Sequence, residues 1–140
     1  MDPALLDLVR LRIAQIHHYK VGVEKHRLDL KARGESEERL DQLKAWHESS
    51  LFSDCEKAAL ALGESISLDP IESLPKQLVQ EARRHFNKEQ MISLLVAIMA
   101  INDWNYLTAH NKVKKISQSH ISPTSTPVLI FKIPRLIQGA

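Results

Sequence analysis

The segment from residue 88 to residue 110 carries apolar side chains on most sides between Met91 and Ile101. An amphipathic surface helix keeps one polar side, so a helix without one must lie at the centre of a core or in a subunit interface. Glycine and proline number only four and six in 140 residues, and aromatic residues make up 5%. This composition favours helices over strands, and it predicts an all-α fold.

Five further helices are predicted from apolar residues at helical spacing. Four of them are predicted over 3–17, 19–33, 53–67 and 75–86, and a short one starts after position 36. Gly34 suits the left-handed residue that commonly ends a helix. Side chains suited to capping a helix start stand before three helices: Ser36, Ser53 with Glu56, and Asn87 with Gln90. The sequence therefore predicts a bundle of about six helices.

The character of the chain changes after Lys112. Positions 114–127 are rich in serine and proline and are typical of a linker, and 128–133 form an irregular or β-prone apolar run between two prolines. Because an isolated strand is not stable, two interpretations stay open. The tail lies loosely on the domain surface or is disordered, or it is a strand that swaps onto a neighbouring subunit. The predicted division is a helical domain over 1–113 and a linker with an apolar tail over 114–140.

Charge and cysteine content exclude several classes of protein. The net charge is only +2 and basic residues alternate with acidic ones, so no nucleic-acid partner is expected. The longest apolar run, 94–101, is shorter than the ~20 residues that span a bilayer, and the acidic start of the chain is unlike a secretory signal. No membrane association is therefore expected. Cys55 is the only cysteine, which fits a reducing cytoplasm and excludes dithiol redox chemistry within one chain.

Six blocks of sequence, in this order, resemble the carboxymuconolactone decarboxylase / alkylhydroperoxidase AhpD-like family. They are RIAQIHHYKVGVEKH (12–26), GESEERL (34–40), AWHES (45–49), FSD (52–54), AALALGE (58–64) and AIMAINDWN (97–105). The resemblance covers roughly residues 3–113. It implies an AhpD-like helical bundle that assembles as a trimer or hexamer, and it carries the family label of antioxidant, peroxiredoxin-type activity. Family members commonly carry an extra helical segment before the position of Met1, and this chain is expected to lack it.

The redox members of the family place a CxxC at the start of a helix, a histidine four residues after the second cysteine, and a carboxylate twelve residues before the first. In this chain the two cysteine positions hold Tyr19 and Gly22, the histidine position is His26, and the carboxylate position is Asp7. The Asn-Gly that usually precedes the first cysteine is replaced by two histidines. The resemblance thus implies a site that keeps its proton-handling residues and has lost both thiols.

Two interpretations of His26 and Asp7 stay open: a pocket with a working imidazole, or a remnant in which His26 is structural. Glu64, beside an apolar run, is predicted to join them in the pocket, or else it faces water. A metal site from His17, His18 and His26 is disfavoured, because helical geometry sends these side chains apart, so no metal or cofactor is expected.

Two functions follow as hypotheses. The first is an oligomeric small-molecule-binding or interaction protein without thiol peroxidase activity. The second is an acid–base enzyme of the decarboxylase type that uses His26 with Asp7 and Glu64.

Overall fold

A computed structural model of the protein describes residues 1–109, and this part consists of helices joined by short turns. The six α-helices are α1 (Pro3–Ile16), α2 (Lys20–Ala32), α3 (Glu37–Gln42), α4 (Asp54–Leu68), α5 (Lys76–His85) and α6 (Lys88–Ala109), and two short 3-10 helices cover Leu43–Ala45 and Ile71–Ser73. The predicted all-α bundle of about six helices is confirmed. The segments 114–127 and 128–133 lie outside the described residues, so the predicted division into domain and tail stays a prediction.

The helix ends follow the predicted capping residues. The hydroxyl of Ser36 accepts a hydrogen bond from the backbone of Arg39, and Ser53 forms a complete capping box with Glu56 at the start of α4. Gly34 has a φ of +92°, a conformation that glycine adopts without steric cost. The local sequence therefore fixes where α2 ends and where α3 and α4 begin.

The core is built around α1, which packs against α2, α4 and α6. Its Leu8, Leu11 and Ile13 are at most 1% exposed. Burying each such side chain contributes roughly 1.5–3 kcal/mol relative to leaving it in water. Trp46, 4% exposed, belongs to the same core. Since α1 and α2 are adjacent in sequence and in space, any group on their facing sides is held between rigid elements.

The long helix α6 buries several of its apolar residues inside the chain. Leu94, Ile98 and Ile101 join the main core, and Leu95 and Met99 form a second, smaller cluster. By length and mean hydropathy, Lys88–Thr108 would also qualify as a membrane span, contrary to the estimate from the 94–101 run alone. In this structure 44% of its most apolar stretch is buried, and the core helix of a small helical domain meets the same criteria.

Candidate functional site

The two positions that the resemblance aligns with the family's CxxC are occupied by a tyrosine that packs on a glycine. Tyr19 is the N-cap of α2, and Gly22 is buried in the first turn of that helix. A β-carbon built on Gly22 would lie 2.5 Å from Cδ1 and 2.9 Å from Cε1 of Tyr19. The aromatic ring therefore occupies the space that a side chain at position 22 would need.

The turn that leads into α2 holds its two histidines in different ways. Nε2 of His17 lies 2.9 Å from Oδ1 of Asn102. The same oxygen also accepts a hydrogen bond from the hydroxyl of Ser67. This network ties the turn to α4 and α6. His18 has a φ of +53°, in the left-handed region that costs a residue with a side chain about 1–2 kcal/mol. The surrounding turn therefore holds His18 in a conformation that only glycine adopts without steric cost.

Asp7 and His26 are brought together between α1 and α2, as the sequence predicts. Asp7 is 5% exposed and His26 is 1% exposed. Asp7 accepts hydrogen bonds from Nη1 of Arg10 at 3.0 Å and from Nε of Arg33 at 2.9 Å. A ring nitrogen of His26 and carboxylate oxygens of Asp7 and Asp29 all lie within 4.8 Å of one another.

The electrostatic surroundings of His26 favour its neutral form. The pKa of His26 is lowered to about 4, mainly by burial and also by the positive charges of Lys25 and Arg10, whereas Asp7 and Asp29 act in the opposite direction. Its Nδ1 atom has no hydrogen-bond partner among residues 1–109. A buried polar atom without a partner costs free energy, so the packing of α1 on α2 carries this cost at Nδ1 of His26.

A cavity of about 510 Å³ opens beside this pair, and we call it the Asp7 cavity. Its lining residues are Asp7, Arg10, Lys25, Asp29, Ala32 and Arg33. With His26 neutral, three positive charges face two negative ones. The charges thus favour a small anion over a cation.

The geometry also places three potential metal ligands together, Asp7, His26 and Asp29. The carboxylates are already engaged, because Asp7 accepts from two arginines and Asp29 accepts from Nζ of Lys25 at 2.6 Å. A divalent cation would have to displace these partners and would then lie beside three positive charges. The donor set therefore fits a metal ion poorly.

Glu64 has different partners from those predicted. Its Oε1 accepts hydrogen bonds from Nε of Arg12 at 2.6 Å and from Nε1 of Trp46 at 2.8 Å. Its Oε2 lies 3.5 Å from Nε2 of His47. These contacts join α1, α4 and the residues that follow the 3-10 helix Leu43–Ala45, so the carboxylate stabilises the packing of these three elements. The predicted proton-relay role of Glu64 stays a prediction, and its contacts in residues 1–109 do not include Asp7 or His26.

Sequence reasoning missed the charged residues that surround Asp7. Arg10 follows Asp7 by three residues and Asp29 follows Lys25 by four, which are spacings that bring helical side chains together. That signal was present and could have identified both pairs. Arg33 reaches Asp7 from the far end of α2, a contact that only the packing of α1 on α2 creates.

Comparisons with known proteins agree with this architecture. No protein-family model matches the chain. The chain is 35% identical over 102 residues to the uncharacterized protein YdfG of Bacillus subtilis (strain 168), covering 73% of this chain and 69% of that protein. The fold of this chain resembles that of a protein of unknown function from Agrobacterium tumefaciens, described as a candidate antioxidant defence protein AhpD. The TM-score is 0.75 at 24% identity, over 81% of this chain and 78% of the other. The chain therefore has an AhpD-like fold and belongs to the same family as Bacillus subtilis YdfG.

Proposed function

We propose that this protein is a non-redox AhpD-like protein, a homo-oligomer that binds a small anion in the Asp7 cavity. The observation that carries the proposal is the packing of the Tyr19 ring on Gly22. It fills the place of the redox thiols, whereas the neighbouring His26 and Asp7 are retained and buried.

The remaining cysteine does not replace the missing pair. Cys55 lies in the first turn of α4 and is partly buried. Burial raises the pKa of its thiol, and Glu56 and Asp2 raise it further by their negative charge. Since the thiolate is the nucleophile towards a peroxide, a raised pKa makes Cys55 a poor one at neutral pH.

Restoring the thiols tests this part of the proposal. In the Tyr19→Cys/Gly22→Cys double variant the ring that blocks position 22 is gone, and the nearest remaining contact of the added β-carbon is Ala14 Cβ at 3.4 Å. An organic hydroperoxide should oxidise the two thiols of this variant to an intramolecular disulfide and be reduced to an alcohol and water. Mass spectrometry detects the disulfide as the loss of two hydrogen atoms. Each single variant and the wild type serve as matched controls. The wild type, with one cysteine, cannot form an intramolecular disulfide, so repeated turnover of peroxide there with a dithiol donor would refute the proposal.

The proposed binding of an anion is supported by the arginines of the Asp7 cavity. Its guanidinium groups, from Arg10 and Arg33, sit within hydrogen-bond distance of one buried carboxylate. Guanidinium groups have donors to spare and bind carboxylates and phosphates in paired geometry. Malonate is a suitable probe, followed by NMR of the labelled protein.

Binding of malonate should shift the resonances of residues around Arg33, and Arg33→Gln should weaken it about tenfold, the loss of one charge-assisted contact. Lys88→Gln, at the exposed start of α6, is the matched control and should bind as the wild type does. Equal affinity of the wild type and Arg33→Gln would contradict the assignment of the anion to this cavity.

An acid–base enzyme of the decarboxylase type is the second candidate function. The proximity of the His26 ring to Asp7 and Asp29 favours it. The low pKa of His26, about 4, disfavours it, because a general acid or base works best with a pKa near the working pH. Turnover of a lactone that disappears in His26→Ala would support the enzyme and overturn the pure binding function.

The homo-oligomer, a trimer or a hexamer as the resemblance implies, is supported by apolar side chains on the surface. Val21 and Leu28 are 67% and 60% exposed and lie seven residues apart on the outer side of α2. Leu28→Lys should lower the mass measured in solution. Leu68→Lys, at the end of α4 and 65% exposed, is the matched control. A monomeric wild type, or an unchanged mass for Leu28→Lys, would contradict a subunit contact through α2.

A further inference from the structure

A second cavity lies on the other flank of α2, and we call it the His18 cavity. It has a volume of about 440 Å³ and a mainly apolar wall. Its lining includes His18, Lys20, Val23, Glu24, Arg27 and Lys44. Lys20, Glu24 and Arg27 follow one side of α2, whereas Lys25 and Asp29 of the Asp7 cavity follow the other side. The two cavities are therefore separate sites on one helix.

The rim of the His18 cavity carries an excess of positive charge. Arg27 is already paired with Glu37 and Asp41. Lys20 and Lys44 form no ion pair within residues 1–109, so their charges are free to meet a ligand. Glu24 is the one acidic residue of the lining. Two free ammonium groups against one carboxylate favour an anionic group at the rim.

The side chain of His18 is a third polar group at the rim of this cavity. His18 is held at a φ of +53°, a conformation that residues with a side chain rarely adopt. Strained backbone conformations cluster at ligand-binding positions, where the surrounding structure maintains them. The left-handed turn puts the imidazole at the edge of the cavity that Lys20 also borders.

We propose that the His18 cavity binds an organic carboxylate with an apolar body. The apolar wall takes the body, which gains stability by leaving water. Lys20 and Lys44 bind the carboxylate head, and His18 donates a hydrogen bond to it. This site is independent of the anion proposed for the Asp7 cavity, because the two share none of their lining residues.

Octanoate is the probe that tests this inference, with acetate and 1-octanol as ligands that carry only the head or only the body. Isothermal titration of the full chain should detect octanoate binding, with acetate and octanol each at least tenfold weaker. Lys20→Gln/Lys44→Gln should weaken octanoate at least tenfold. Glu24→Gln should tighten it, because a repelling charge is removed.

Arg33→Gln, in the Asp7 cavity, is the matched control and should leave octanoate binding unchanged. Its response to malonate reports on the proposed function separately, so the two proposals fail independently. Absence of octanoate binding would overturn the inference. So would equal affinity in the wild type and the double lysine variant, or NMR shifts centred on Arg33 instead of Val23.

Discussion

Replacing Gly22 by alanine probes the packing of the Tyr19 ring on Gly22, the two positions that the resemblance aligns with the family's cysteines. The new β-carbon would lie 2.5 Å from Cδ1 of Tyr19, whereas carbon atoms in contact are normally ~3.5–4.0 Å apart. The ring would have to move by about 1 Å or more. Overpacking of this kind costs ~1–3 kcal/mol, and the better helix propensity of alanine offsets up to ~1 kcal/mol. We expect Gly22→Ala to destabilise the wild type by about 1–2 kcal/mol.

The effect should reverse when the ring is removed. In a Tyr19→Ala background the nearest contact of the new β-carbon is Ala14 Cβ at 3.4 Å. Only the gain in helix propensity then remains, so Gly22→Ala should stabilise by up to ~1 kcal/mol. Urea unfolding of the four proteins in this double-mutant cycle should give a coupling free energy of about 1–3 kcal/mol.

The matched control for this cycle is Gly63→Ala. Its β-carbon would meet Cγ1 of Val9 at 3.0 Å and does not touch Tyr19. Gly63→Ala should therefore destabilise equally with and without Tyr19. If Gly22→Ala has the same effect in both backgrounds, within about 0.5 kcal/mol, the ring does not occupy the space above Gly22 and the reasoning fails.

Three further predictions concern the charged groups of the bundle. Because the folded-state pKa of His26 is about 4 and its ordinary value is 6.5, the unfolded chain binds more protons between these values. The free energy of unfolding should therefore fall by up to about 3 kcal/mol as the pH drops from 6.5 to 4. In urea unfolding, His26→Gln should lose this part of the pH dependence, and a pH dependence identical to that of the wild type would contradict the prediction. Arg39→Met should destabilise by ~2–3 kcal/mol, because it leaves two half-buried carboxylates unpaired. Arg27→Met, whose carboxylate partners are exposed, should cost under ~1 kcal/mol by the same assay, and equal losses would refute the distinction. Glu64→Ala should destabilise by ~1–3 kcal/mol and change the fluorescence of Trp46, which loses its hydrogen-bond acceptor. Measured in a Trp104→Phe background, an unchanged Trp46 fluorescence would contradict the hydrogen bond between Trp46 and Glu64.

The helices could be predicted from the sequence because their determinants are local. Capping side chains such as Ser53 and the positive φ of Gly34 depend on a few neighbouring residues. His26 and Asp7 lie on two adjacent helices, α2 and α1, that pack against each other, and this packing brings the two side chains close together. Their role as a proton relay stays a prediction.

The partners of Glu64 and Arg33 could not be predicted in this way. Glu64 meets Arg12 across 52 residues and Arg33 meets Asp7 across 26. Such contacts depend on the rotation and offset of packed helices, which apolar spacing does not specify. The same holds for the ring of Tyr19, whose position over Gly22 is a contact that helical spacing does not specify.

The proposed function requires that this AhpD-like protein works without thiol redox chemistry. Its most direct test is the steady-state reduction of an organic hydroperoxide by the wild type with a dithiol donor, beside Cys55→Ser and a protein-free control. All three rates should be equal. A wild-type rate that is clearly above the protein-free control and that disappears in Cys55→Ser would contradict the proposed function.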